Sequence, residues 1–165
     1  VLSTLLIPQY ILFIPLFIAF SKLGLFDTYA GLIFPGIINA FGIFLLRQFM
    51  LTVPQDLFDA SEIDGCGIFL TYRNVALPLC KSALVALSIF VFVYHWDTLF
   101  WPLIITRSVE MRTLSVGISA LHGEYYEIYT LIMAASTLAL LPTLIVYFIL
   151  QKQFIEGIAL TGLKL

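Results

Sequence analysis

The chain has 165 residues, of which 61% are hydrophobic and only 11% charged, and its mean hydropathy is +1.06. Soluble domains carry roughly 25% charged residues, so these few charges cannot cover a water-facing surface, and a membrane protein is the prior. The net charge of −2 supplies no basic patch, which excludes nucleic acid as a partner.

Charges divide the sequence sharply. Residues 1–21 carry none, and neither do 28–46, 82–96 or 128–151. At 1.5 Å per residue, a helix over the first stretch reaches about 32 Å, enough for a bilayer core of about 30 Å. The third stretch stays apolar beyond Asp97 and predicts a span from about Pro78 to Trp101, with Trp101 as an interfacial anchor. No strand-length alternation recurs, as a barrel would require. The expected fold class is therefore all-α: a polytopic membrane protein with four transmembrane helices in the lipid bilayer. The chain is apolar from Val1, with no basic leader and no cleavage site. This reads as a chain entered within a span, not as a signal peptide.

Parity of the spans puts 47–81 and the tail from 152 on one side, and 22–27 and 107–127 on the other. The first side carries Arg47, Arg73, Lys81, Lys152 and Lys164, the second Lys22, Arg107 and Arg112. That excess favours 47–81 in the cytoplasm. Pro8, Pro15, Pro35 and Pro142 lie inside apolar stretches, where freed carbonyls need neighbouring groups.

One segment breaks the apolar pattern. Thr52-Val53-Pro54-Gln55 signals a helix start, with Thr52 able to cap and Gln55 at the capping-box position. Gly65 is the natural stop, so a helix over about 53–64 is expected, too short to span. Leu57, Ala60, Ser61 and Asp64 share one face. Asp56, Asp59, Glu62 and Asp64 make it acidic, and an anionic leaflet repels it. A basic protein partner explains these acids better than lipid does. Cys66 and Cys80 lack metal or redox spacing and read as small apolar residues.

Asp59-Ala60-Ser61, Gly65 six residues after the acid, and Val75-Ala76-Leu77-Pro78 together resemble the EAA loop of ATP-binding-cassette importer permeases. The approach Phe44-Leu45-Leu46-Arg47-Gln48-Phe49, the pair Trp96-Asp97 before Trp101-Pro102-Leu103, the run Met111 to Gly117, and the tail Gln151 to Lys164 look like the carbohydrate branch, of the maltose and glycerol-phosphate type. The resemblance implies that residues 1–165 belong to the transmembrane domain of such a permease. This would be the last four spans of a six-span core, with the coupling segment at about 53–79, in a bacterial or archaeal cytoplasmic (inner) membrane. It implies that Asp59, Ala60, Ser61, Gly65, Leu77 and Pro78 form the ATPase-coupling element. Asp59 departs from the family Glu, and Ser61 from the family Ala. The implied partners are a nucleotide-binding ATPase subunit, a second permease subunit and an extracytoplasmic sugar-binding protein.

For the substrate path the candidates are Asn39, Tyr94, His95, Trp96 and Asp97. Polar groups in spans usually face a cavity or a partner, aromatic rings can stack on sugars, and carboxylates accept hydroxyl protons. Asp97 departs from the Asn more common in the family. His122-Gly123-Glu124 is too sparse for a metal site. No phosphate loop or nucleophile motif appears, so the expectation is a transport subunit, not an enzyme, without a cofactor or metal. The alternative is a fragment of an ion-coupled secondary transporter, which would need ionisable groups near a span midpoint.

Overall fold

The structure is a computed structural model. It describes the backbone of residues 5–122 and 128–162 and the side chains of 5–122 and 128–151. Among the described residues every regular element is helical. The first helix, α1 (Gln9–Lys22), has 14 residues. At about 21 Å it is shorter than the span expected over 1–21, because the described helix begins only after Pro8. Two helices, α2 (Tyr29–Ile37) and α3 (Ala40–Met50), form one apolar segment of 22 residues, long enough to cross a membrane.

That segment is interrupted where Ile38 and Asn39 are both extended. Thr28 caps α2 by accepting the Gly31 N–H at 3.1 Å. Asn39 caps α3 by accepting the Gly42 N–H at 3.0 Å. Pro35 lies within α2 and has no N–H, so the Gly31 carbonyl loses its helical donor. The indole N–H of Trp101 donates to that carbonyl at 3.0 Å. Trp101 is 6% exposed and packs its ring against Phe13 and Phe20 of α1. It is thus a core residue joining three helices, not the interfacial anchor expected from its place in the sequence.

Next come α4 (Gln55–Ile63), α5 (Ile68–Leu79) and α6 (Lys81–Asp97). Tyr72–Ala76 within α5 forms a π-turn, directly before Pro78, whose missing N–H disturbs the α-helical ladder. At Cys80, which is buried, the chain bends by 73° from α5 into α6. The third span therefore does not run from Pro78 to Trp101. The helix α6 starts at Lys81 and stops at Asp97, because Thr98 is extended. The short α7 (Phe100–Ile105) follows as a separate piece. The core lies along α6 and α7, at Ala83, Ala86, Ile89, Trp101 and Ile105. After α8 (Leu114–Ser119), α9 (Tyr129–Gly162) returns beside α6. Its residues 129–151 are long and apolar enough to span.

The bent pair of α5 and α6 counts as a third possible span. Among the described residues two of the four expected spans have a counterpart of crossing length, or three if the bent pair is one span, and α1 is the shorter apolar helix. Asp27 ties the two loops expected on one side. Its carboxylate accepts the Arg107 N–H at 2.7 Å and the Ser108 N–H at 3.1 Å. These two loops therefore meet at one end of the helices. The Arg107 N–H is the main reason the Asp27 carboxyl sits below its ordinary value.

Candidate functional site

The acidic helix α4 stands where the sequence put it, within two residues at its start and one at its end. Its start differs in detail. Pro54 is the capping position and makes no side-chain cap. Thr52 instead donates its hydroxyl to the Phe49 carbonyl at 2.7 Å, closing the last turn before α4 instead of opening α4. Gln55 reaches forward, not back, and donates to Asp59 Oδ1 at 3.2 Å.

The end of α4 is a Schellman closure. The Cys66 N–H donates to the Ser61 carbonyl and the Gly65 N–H to the Glu62 carbonyl, both at 3.0 Å. This requires the left-handed backbone that Gly65 adopts, with φ of +78°. A Cβ there would meet nothing within 4 Å, so the glycine serves conformation, not packing.

Only part of α4 faces protein. Ser61 is 7% exposed and Phe58 half-buried, whereas Asp56, Leu57, Asp59, Ala60, Glu62, Ile63 and Asp64 are exposed. The packed edge is therefore Phe58–Ser61. The one-face grouping of Leu57, Ala60, Ser61 and Asp64 is not what the structure buries. Ile63, Ile68 and Phe69 are 86%, 92% and 73% exposed. Beside α4, an open groove of about 450 Å³ runs between Phe58, Glu62, Ile68, Thr71 and Tyr72. The result is a ridge of apolar side chains among four carboxylates. A partner that buries apolar surface and supplies positive charge matches it. Leu77 is half-buried and Pro78 exposed beyond the π-turn.

The path candidates separate. Tyr94 and Asp97, one turn apart on α6, line a second groove of about 420 Å³ with Gln9, Tyr10, Phe13, Thr98 and Phe100. The Tyr94 hydroxyl donates to Gln9 Oε1, and the Tyr10 and Phe100 rings meet edge to face. Among the described residues no lysine or arginine lines this groove. Trp96 points elsewhere, donating its indole N–H to the Ala139 carbonyl of α9 at 2.9 Å. Asn39 is engaged as the α3 cap. His95 lies against α2, where a Cβ on Gly36 would come within 2.5 Å of its ring.

Gln9, Tyr10 and Thr98 were not anticipated. Gln9 is the only amide in the first apolar stretch, a signal that could have marked it. His122 belongs to the described residues, while Gly123 and Glu124 lie outside them.

Comparison with known proteins shows the family. Residues 2–159 match the family model for the binding-protein-dependent transport system inner membrane component. The arabinooligosaccharides transport system permease protein AraQ of Bacillus subtilis (strain 168) is 37% identical over 99% of this chain and 58% of its own length. The lactose transport system permease protein LacG of Rhizobium radiobacter is 35% identical over 95% of this chain and 58% of its own. The sn-glycerol-3-phosphate transport system permease protein UgpE of Brucella abortus (strain 2308) is 34% identical over 96% and 57%.

A solved bacterial ABC transporter involved in import of the acidic polysaccharide alginate superimposes with a TM-score of 0.74. It is 27% identical, over 86% of this chain and 55% of that chain. The chain thus spans less than three-fifths of the length of these relatives. The chain belongs to the family of binding-protein-dependent transport system inner membrane components.

Proposed function

We propose that the chain is part of a permease subunit of an ATP-driven sugar importer. In this reading α4 is the coupling helix, docking on a separate nucleotide-binding ATPase subunit. The observation that carries the reading is α4 itself: an exposed, acidic helix with an apolar ridge, closed at Gly65, inside a chain of this membrane family. Its acids are of no use to an anionic leaflet, and a lysine- or arginine-bearing groove on an ATPase would satisfy them.

The groove of Gln9, Tyr94 and Asp97 is the better candidate for part of the substrate path. It combines hydroxyl, amide and carboxylate groups with aromatic rings. Asn39, Trp96 and His95 remain path candidates only if the assembled complex frees them from their present contacts. Relatives named for arabinooligosaccharides and lactose support a sugar as cargo. A second permease subunit and an extracytoplasmic sugar-binding protein complete the proposed complex. The ion-coupled alternative loses its footing, since the family is defined by dependence on a binding protein.

The test is copurification of the full-length protein from its native membrane, with mass spectrometry of what accompanies it. The reading expects an ATPase, a second permease and a sugar-binding protein. Repeated purification in mild detergent without any ATPase would overturn it.

A further inference from the structure

The third residue of the Asp59-Ala60-Ser61 triplet does something that alanine there could not. Ser61 is the buried polar residue of the described chain. Its hydroxyl donates to the Phe58 carbonyl at 2.7 Å and lies 3.0 Å from the Thr71 hydroxyl of α5. A hydroxyl has one proton, and that of Ser61 is committed to Phe58. The proton between the two side chains therefore comes from Thr71, and Ser61 accepts it. The Ser61 carbonyl is held as well, by the Cys66 N–H. Ser61 is thus fixed at both its side chain and its backbone.

Ile68 and Phe69, at the start of α5, are among the most exposed side chains of the chain. The link from Thr71 is followed at once by the π-turn at Tyr72–Ala76, then Pro78, then the 73° elbow at buried Cys80, then α6. The far end of α6 carries Tyr94 and Asp97 in the open groove.

We infer that Ser61 and Thr71 are positioning residues: their hydroxyl pair locks the coupling helix to α5, so that a shift of α4 turns α6 about the elbow instead of being lost in the loop at Cys66–Gly67. This rests on the coupling reading of α4. A π-turn is a frequent marker of a functional site in a helix, and a part-buried hydroxyl pair has two discrete states, made and broken. Motion in the opposite sense, from the outer side through α6, reaches the ATPase by the same link.

The test uses the complete complex in proteoliposomes with its extracytoplasmic receptor. Three readouts are taken: copurification of the ATPase, basal ATP hydrolysis, and the ratio of receptor-stimulated to basal hydrolysis. Thr71→Val keeps the shape and removes the hydroxyl. It should assemble and hydrolyse ATP at the basal rate, yet lose stimulation several-fold. Ser61→Ala should lose stimulation to a similar extent, and the double variant should be no worse than either single, because all three break the same bond. Thr71→Ser, which keeps the donor, should retain stimulation.

Parent-like stimulation in Thr71→Val and Ser61→Ala would overturn the link, as would effects that simply add. Loss of assembly in both singles, with parent-like stimulation in whatever complex still forms at reduced temperature, would also overturn it, since the pair would then serve folding alone. Asp59→Lys separates the two levels. If it too behaves like the parent, the coupling reading of α4 fails. If it disrupts the complex while the hydroxyl variants are silent, only the Ser61–Thr71 link fails.

Discussion

The indole N–H of Trp101 donates to the carbonyl of Gly31 at 3.0 Å, the carbonyl that Pro35 leaves without a helical donor. A proline in a membrane helix costs a backbone bond that water cannot replace, and here a tryptophan 70 residues away in sequence replaces it. Trp96 makes a second indole bond of this kind across helices, donating to the Ala139 carbonyl of α9.

This pairing makes a rescue prediction. Trp101→Phe keeps an aromatic ring but leaves a buried carbonyl unsatisfied, at a cost of about 1–3 kcal/mol. Pro35→Ala returns an N–H within reach of Gly31. The double variant Pro35→Ala/Trp101→Phe should therefore recover much of the stability lost in Trp101→Phe, read as the thermal unfolding midpoint in detergent. A double variant as unstable as the sum of the singles would show that the two residues act independently.

Asp27 and Arg107 give the topology a physical anchor, since the Asp27 carboxylate binds the backbone of both Arg107 and Ser108. Residues 22–27 and 107–127 are expected outside the cell, and 47–81 inside. In a background with Cys66→Ser and Cys80→Ala, a membrane-impermeant maleimide should label Glu110→Cys in intact cells and Glu62→Cys only after lysis. Labelling of Glu62→Cys in intact cells would reverse the orientation.

Gly65 predicts a backbone effect without a packing effect. Its φ is +78° and a Cβ would meet open space. Gly65→Asn should be mild, because Asn tolerates the left-handed region. Gly65→Val should open the Schellman closure at about 1–2 kcal/mol and depress sugar uptake while the protein still inserts. Equal uptake by the parent, Asn and Val variants would mean that the shape of this turn is irrelevant to transport.

How much of this was legible beforehand depended on range. Pro54 and Gly65 are local signals, and they bounded α4 closely. Thr52 misled because its hydroxyl could either accept an N–H of the next helix or donate to a carbonyl of the preceding turn, and the Phe49 carbonyl won. Hydropathy carried the third span through Leu99 and Phe100, since an apolar break looks like an apolar helix. The role of Trp101 depends on Pro35 and Gly31, and the elbow at Cys80 on packing around a buried thiol. No window of neighbouring residues contains either relationship. Tyr94 and Asp97 could be picked as polar residues in a span, but not separated from Trp96, because that needs the position of α9.

Asp97 makes a prediction about cargo. With no cation lining its groove among the described residues, the carboxylate disfavours an anionic sugar and suits hydroxyl groups. Asp97→Asn should leave assembly intact and change the uptake rate of a neutral oligosaccharide several-fold, with Tyr94→Phe giving a smaller change. If both variants transport at the parental rate, the path lies elsewhere.

The most direct test of the account falls on Asp59, exposed on α4 and held by Gln55. If α4 docks on a basic surface of the ATPase, reversing this charge places like against like. Breaking a desolvated charge pair costs about 2–5 kcal/mol, and about 2 kcal/mol is roughly thirty-fold in affinity. The measurement is pull-down of the ATPase by the membrane subunit, with ATP hydrolysis by the complex in liposomes. The account predicts that Asp59→Lys loses most of the bound ATPase, that Asp59→Ala loses less, and that Asp59→Glu stays close to the parent. An Asp59→Lys complex that assembles and hydrolyses ATP like the parent would contradict it.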